Sequence, residues 1–444
     1  ASAAGIFRIN NENSIEPEEI TVKTNNNLSA RILNLFFKNK ILKHGTFNCD
    51  LKYKYNTLTK TAKIIGNLDC RNIDIPLFDT IIKNVKIKAA ENDIKVHLFA
   101  FMADSGLNIN SVFENNFGEK PKIRSLDIFA DQIDNDKLFK SMSQVHKAVN
   151  TNNNIKNIDL SGFNIDKGTL TVKKFIIKSM SADNLKSNFS IDENGIFYAN
   201  DMYADIGQGN INGKLTYNLN NSEAECDFEL NDVDSNYIAE TLFDGKDQIY
   251  GNANGKMFLK TKGYTNEERI KNLSGFVYFD ISDGRMPKLG SLEYLLRASN
   301  IIKSGITGFT INSILELLNL VKTGYFSNIS GSCVIQDGIA REIEIFSKGE
   351  NLSLYIHGNY DISKTHADME ILGKLSKKIT TIFGAIGNTS LNTFFKLIPG
   401  ISLLDFSRKD FIENVEKIPS FTNGEYESRV FQAIINGNIN NSEY

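Results

Sequence analysis

The sequence predicts a mainly β protein: an elongated, curled antiparallel sheet that forms a repeating β-groove, with a few amphipathic helices near the C-terminal end. Three observations predict this fold. Apolar and polar residues alternate along many short segments, Asn-Gly or Asp-Gly dipeptides separate several of them, and a unit of about 40 residues recurs. One apolar and one polar side per strand is typical of antiparallel sheet with one solvated face.

Alternation with a period of two is the strongest of these signals. It places every second residue on the same face of a strand, so that one face collects the apolar side chains. The segments that show it are 47–55, 64–70, 94–102, 211–219, 224–230, 352–358 and 431–439. These segments are therefore predicted as strands.

Turn residues separate the predicted strands. Asn-Gly and Asp-Gly supply the positive φ angles that tight hairpin turns require. The sequence has such positions at Glu193-Asn194-Gly195, Asp283-Gly284, Asp337-Gly338 and Asn423-Gly424. Each is predicted to be a turn.

A loose repeat links the strands into units. One copy starts at Ile191 and the other at Val334, and each contains four predicted strands with an Asx-Gly turn after the first. Such a unit cannot bury its apolar face alone and has to stack on its neighbours.

Helical periodicity is confined to a few segments. Residues 28–42, 292–302 and 311–321 are candidates, and two more follow Lys377 and Lys378. The latter pair has two interpretations: capping helices with a solvated polar side, or helices that lie at a membrane surface. The apolar residues that would contact the membrane are Ile379, Ile382, Phe383, Ile386, Leu391, Phe394, Phe395 and Ile398.

Composition excludes several classes of function. Hydrophobic residues are 41% and charged residues 23% of the 444 residues, so the chain is not disordered. The net charge of −3 argues against nucleic acid as the main partner. No apolar run is long enough for a helix that spans a membrane. The first residues lack a Met and the apolar core of a signal peptide, so we expect a mature form or a fragment.

The sequence contains no recognisable catalytic or metal-binding motif. The four cysteines form no CxxC, and Cys49 and Cys70 either pair in an oxidising compartment or are single buried residues. The five histidines show no HExxH, and the glycine-rich run at 207–213 leads into a predicted strand where a phosphate-binding loop requires a helix. The prediction is a protein that is not an enzyme, with no cofactor and no metal.

The C-terminal part resembles the C-terminal module of AsmA-like proteins, most closely the YhdP type. Residues 273–301 and 325–377 have its order of strands and turns, with the motif positions Asp283-Gly284-Arg285, Gly331, Asp337-Gly338-Ile339 and His357-Gly358-Asn359-Tyr360-Asp361. Residues 158–219 resemble the repeats of the same family. On this basis the chain divides into N-terminal β-rich repeats (1–150), AsmA-like repeats (151–270) and a C-terminal module (271–444).

The resemblance implies a bridge-like lipid transfer protein of the bacterial envelope. Such a protein conducts phospholipid, as its transported ligand, between inner and outer membranes and supports outer-membrane biogenesis. It implies a periplasmic location, anchorage to the inner membrane by an N-terminal helix not present in this chain, and envelope protein partners.

Residues on the predicted apolar faces are the candidates for lipid contact. They are Val277, Phe279, Ile281, Ile343, Ile345, Leu352, Leu354 and Ile356. Periodicity alone does not say whether these side chains line an open groove or fill a closed sandwich core. The second function that the sequence allows is a β-rich structural or protein-interaction scaffold of the cell envelope or surface.

Overall fold

The structure is a computed structural model. It describes residues 2–9, 15–35, 42–56, 58–75, 80–102, 105–116, 122–137, 164–177, 179–243, 246–287, 325–376, 401–402, 414–424 and 428–438.

The described residues are mainly β, which confirms the predicted fold class. Their helices include a 3-10 helix (Ala30–Leu35), α1 (Ser235–Phe243) and α2 (Asn266–Lys271), and residues 135–137 and 414–417 are also helical. Their strands are β1 (Ser2–Ile9), β2 (Ile15–Lys23), β3 (Leu28–Ser29), β4 (His44–Asn56), β5 (Thr61–Ile75), β6 (Thr80–Ala89), β7 (Asp93–Met102), β8 (Ser105–Glu114), β9 (Lys122–Asp134), β10 (Asn164–Ile177), β11 (Met180–Ile191), β12 (Ile196–Ile206), β13 (Gly209–Asn218), β14 (Glu223–Asp234), β15 (Tyr250–Lys262), β16 (Ser274–Arg285), β17 (Tyr325–Gln336), β18 (Ile339–Gly349), β19 (Leu352–Asp361), β20 (His366–Ser376), β21 (Ile401–Ser402) and β22 (Ser428–Asn438).

The chain divides into two compact units. The first contains Ala1–Asp205 and Asn212–Ser222, and the second contains Ile206–Ile211 and Glu223–Tyr444. This division follows spatial contacts, whereas the division at 150 and 270 follows sequence resemblance and stays a prediction.

In the first unit the strands pair in chain order from β1 to β12, with β3 extending the line of β2 along β4. All but one of these pairs are antiparallel. Strands β9 and β10 run parallel, with Ile128 beside Leu170. The predicted antiparallel sheet therefore contains one parallel pair. A parallel pair needs a long connection, and residues 135–163 provide it here.

In the second unit every described pair is antiparallel. Strands β14 to β20 follow one another in chain order, β22 pairs with β20, and β21 pairs briefly with β22. The second copy of the sequence repeat is thus a four-stranded meander, β17 to β20. Its Asp337-Gly338 turn has φ angles of 53° and 73° and joins β17 to β18, as predicted.

Bulges and glycines bend strands in both units. Several strands contain an internal residue with positive φ, including Asn72 (49°) in β5 and Asp232 (51°) in β14, and the pairing register shifts beside Asp232. Such bulges bend a strand and increase its twist. Gly275 has a φ of 147°, and a Cβ there would collide with the carbonyl oxygen of Phe258 on the neighbouring strand.

The structure corrects three details of local structure. Asp283-Gly284 is not a hairpin turn, because Asp283 (φ 47°) is a bulge inside β16, which continues to Arg285. Asn423-Gly424 forms a turn, but it precedes β22 and does not join two adjacent strands. Residues 28–35 begin with a short strand and continue as a 3-10 helix, where an α-helix was predicted.

The remaining predicted helices cannot be compared with the structure. The segments 292–302, 311–321, 379–386 and 391–398 lie outside the described residues.

The structure adds α2, a helix that periodicity did not reveal. It begins at Thr265, whose side chain accepts a hydrogen bond from the Glu268 backbone N–H while Glu268 accepts from the Thr265 backbone. The Thr-x-x-Glu spacing was the available signal for it.

Candidate functional site

Strands β14 to β20 of the second unit have one sheet face without charged side chains. The pairing registers of β14 to β20 bring alternate residues of all seven strands onto this side, which we call its apolar face. Its members are Ala224, Cys226, Phe228, Leu230, Ala253, Gly255, Met257, Leu259, Thr261, Gly275, Val277, Phe279, Ile281, Ile329, Gly331, Cys333, Ile335, Ala340, Ile343, Ile345, Ser347, Leu352, Leu354, Ile356, Gly358, Tyr360, Ala367, Met369, Ile371 and Gly373. None of these side chains is ionisable near neutral pH.

All eight sequence-predicted contact residues lie on this apolar face. Val277, Phe279 and Ile281 follow one another along β16, and the other five lie on β18 and β19, where Ile345 is directly opposite Ile356. Ile343 and Leu352 are buried at 8% and 7% exposure, and the other six are half-buried. The face is therefore partly open to solvent. That these residues contact lipid stays a prediction.

Apolar side chains pack against one another along this face. Leu259 of β15 and Met369 of β20 both pack against one buried cluster formed by Ile335, Ala340 and Ile343 on β17 and β18. Each of these two side chains lies two strands from the cluster and reaches it across a glycine, Gly275 for Leu259 and Gly358 for Met369. The glycines therefore let apolar side chains on either side of them meet over the sheet.

No second sheet covers the face within the part of the chain that the structure describes. The buried cluster of this face is surrounded by side chains of β15 to β20 and of the turns that adjoin these strands. A closed sandwich would instead pair two apolar faces across a core about 10 Å thick. With six of the eight predicted contact residues half-buried, β14 to β20 form an open, curled sheet.

The first unit also has an apolar sheet face. Registers from β4 to β11 place apolar residues on one face, among them Leu51, Leu68, Ile87 and Val96 on β4 to β7. The 3-10 helix covers part of it, where Ala30 packs with Phe47 and Cys49. None of the predicted contact residues came from this unit, although its alternation was visible in the sequence.

All four cysteines lie on the apolar faces and are free. Cys49 and Cys70 belong to the buried cluster beside the 3-10 helix, and burial raises the pKa of the Cys70 thiol to about 11. Burial also raises the pKa of Cys226 and Cys333. A protonated, buried thiol acts as a small apolar side chain, which is the second of the two sequence-based interpretations.

The opposite, polar face of the second unit carries a clasp formed by residues 414–424. Ile418 packs on Tyr355 and Leu372, which are 2% and 0% exposed. Lys417 Nζ lies 3.2 Å from Glu344 Oε1 and 3.2 Å from the Tyr355 hydroxyl, which itself donates to Glu344 at 2.7 Å.

This network accounts for the perturbed titrations at the clasp. The hydrogen bond from the Tyr355 hydroxyl, with a contribution from Lys417, lowers the pKa of Glu344. Burial, followed by the bond to Glu344, raises the pKa of Tyr355. The clasp therefore stabilises the ionised carboxylate of Glu344 and holds residues 414–424 against β18 to β20. Nothing in its geometry points to a nucleophile.

The described residues contain no group of three or more His, Cys, Asp or Glu side chains that could hold a metal ion. Among the same residues, no helix has the length and apolar character needed to span a membrane. The predicted membrane-contact helices at 379–398 lie outside the described residues.

Comparisons with protein families, with characterised proteins and with solved structures found no match to this chain. What supports a function is therefore the geometry of the two uncharged, partly open faces.

Proposed function

We propose that the apolar faces hold the acyl chains of phospholipids, and that the protein conducts phospholipid between the inner and outer membranes, as the AsmA-like proteins it resembles are expected to do. The observation that supports this most is the absence of charge from the face that runs through β14 to β20. The half-buried state of Phe279, Leu354 and Ile356 adds to it.

The physical reason is hydrophobic burial. Exposed apolar surface beyond a few hundred Å² usually marks a binding surface, and each methylene removed from water contributes about 0.8 kcal/mol. An acyl chain needs only a continuous apolar floor, whereas its headgroup remains at the open, solvated side. Movement along such a floor is diffusive and requires no catalytic residue.

Cross-linking from neighbouring residues tests the proposal. Phe279 lies on the apolar face, whereas Tyr278 lies on the polar face of the same strand and is 46% exposed. A photoactivatable residue at position 279 or 354 of the full chain should capture phospholipid in cells, and the same residue at position 278 should capture none. Native mass spectrometry and lipid extraction of gently purified protein should recover phospholipid.

Absence of lipid from both measurements would refute the proposal. Equal capture at 278 and 279 would also count against it, since a lipid in the groove reaches only one face.

A structural or protein-interaction scaffold is the second candidate, and one observation favours it. On the polar face, Phe276, Tyr278 and Val334 are 48%, 46% and 47% exposed, and the Phe276 ring stacks on Phe258 at 6.0 Å between centroids. Exposed aromatic residues are enriched at protein interfaces. Capture of protein at position 278, together with absence of lipid at 279, would favour the scaffold.

A further inference from the structure

We propose that the polar face of the first unit carries a binding site for a phosphate group, formed by Lys86, Lys88, Lys95 and His97. These residues lie on β6 and β7, on the side opposite the apolar face. The site is independent of lipid in the groove, so either proposal can fail without the other.

The register places the four residues at the corners of a rectangle. Lys86 is directly opposite His97, and Lys88 is directly opposite Lys95. Opposite residues have Cβ atoms about 5 Å apart, and residues two positions apart along a strand are separated by about 7 Å. Three long, flexible ammonium side chains and an imidazole can therefore reach a single small anion above the sheet.

The carboxylates around this rectangle have other cationic partners. Asp69 lies directly opposite Lys86 on β5, but its carboxylate is paired with Arg71 at 3.0 Å. Asp93 is paired with Arg124 at 2.6 Å, and Glu91 with Lys63 at 3.4 Å. Within the described residues, Lys86, Lys88 and Lys95 form no ion pair. Like charges directly opposite one another destabilise a sheet, and a bound anion would remove this cost.

The surface at this position is concave. A depression of about 280 Å³ is lined by the four basic residues together with Asn110 and Asp127. Asn110 Oδ1 lies 2.7 Å from His97 Nδ1, which therefore donates its proton there. Asp127, the one carboxylate of the lining, accepts a hydrogen bond from the Thr169 hydroxyl at 2.7 Å.

The charge of the site suits a phosphate. A phosphate monoester carries between −1.5 and −2 charges near neutral pH. The three lysines have two carboxylates beside them, Asp127 in the lining and Asp69 opposite Lys86, and Arg71 is paired with Asp69. Lysines bind phosphate as point charges. The ligand is either a soluble phosphate or the phosphate headgroup of a lipid in a membrane surface, which present the same chemistry to this site.

Titration of the full chain with inorganic phosphate, at constant ionic strength maintained with sodium chloride, tests the proposal. The variant is Lys88→Gln with Lys95→Gln. The matched control is Lys52→Gln with Lys54→Gln, which removes two lysines from the polar face of β4 and leaves Lys63 paired with Glu91. Phosphate should bind the wild type and the control saturably, and the variant at least about tenfold more weakly. Circular dichroism should show all three proteins equally folded.

A second arm identifies the source of the phosphate. Co-sedimentation uses phosphatidylcholine vesicles with and without phosphatidic acid. Binding that needs phosphatidic acid and fails only in the Lys88/Lys95 variant supports the site with a membrane headgroup as ligand. Saturable phosphate binding that fails in the same variant, without vesicle binding, supports it with a soluble ligand. No binding in either arm, or the same binding by all three proteins, would overturn it.

Discussion

A charge placed on the apolar face should expel lipid, and Phe279→Asp is the sharpest such change. Phe279 lies on β16 between Gly255 on β15 and Gly331 on β17. Its ring lies 2.6 Å from the point that a Cβ on Gly331 would occupy, so Gly331 leaves the room that the ring fills. A carboxylate here would stand in the middle of a strip with no charge of its own.

The expected magnitude follows from burial. A hydrated carboxylate keeps water around it, because burying an unpaired charge is far more costly than losing a few apolar contacts. An acyl chain would then lose contact at about three methylenes, which costs about 2.4 kcal/mol at about 0.8 kcal/mol each. This corresponds to a loss of affinity of about fiftyfold.

Quantitative lipid extraction from purified full-length variants measures this loss. Phe279→Leu, which keeps the face apolar, should retain lipid, and Tyr278→Asp, with the same charge on the polar face, should retain it as well. Since position 279 is half-buried, Phe279→Asp should still fold, which far-ultraviolet circular dichroism checks. Wild-type lipid content in folded Phe279→Asp would refute the reasoning.

Three further predictions concern the fold. Gly275→Ala should lower the free energy of unfolding by about 1–3 kcal/mol or more, because the Gly275 backbone has a φ of 147° and approaches β15 closely. In Gly106→Ala the new methyl group would meet only a movable side chain, so chemical denaturation should show a loss of less than about 1 kcal/mol. Glu344→Gln should destabilise the clasp by up to about 1 kcal/mol at pH 7, since this carboxyl is partly exposed. The pKa of Glu344 in the folded protein lies below the ordinary value, so its ionised carboxylate stabilises the fold above about pH 4.3, and this contribution is lost as pH falls through the folded pKa. The difference in unfolding free energy between wild type and Glu344→Gln should therefore vanish in acid. Cys70, with its pKa raised to about 11, should resist alkylation at pH 8 in the folded protein and react after unfolding, as mass spectrometry can follow; rapid native labelling would contradict its burial.

Much of the sheet could be predicted because the signal is local. Alternation requires only that neighbouring side chains point to opposite faces, and it correctly placed strands at 47–55, 94–102 and 352–358. The Asp337-Gly338 turn was also predictable, since its two residue types tolerate the positive φ angles that a tight hairpin requires.

The errors share a physical reason. An Asp-Gly pair allows positive φ, but a bulge inside a strand uses the same angles as a turn, and only pairing with β17 shows that Asp283 continues β16. The parallel pairing of β9 with β10 depends on where the chain returns after a long connection, for which no neighbouring residue gives a signal.

The sequence by itself determined which side of each strand is apolar and that charge is confined to the other side, because both follow from residue order and a period of two. Tertiary structure alone decided that the strands join into an open, curled sheet. The packing of Leu259 and Met369 on one shared cluster depends on the registers that set Gly275 and Gly358 between these side chains and the cluster. The meeting of Lys88 with Lys95 on the polar face was likewise decided by register, since a shift of one residue would have moved both to the other side.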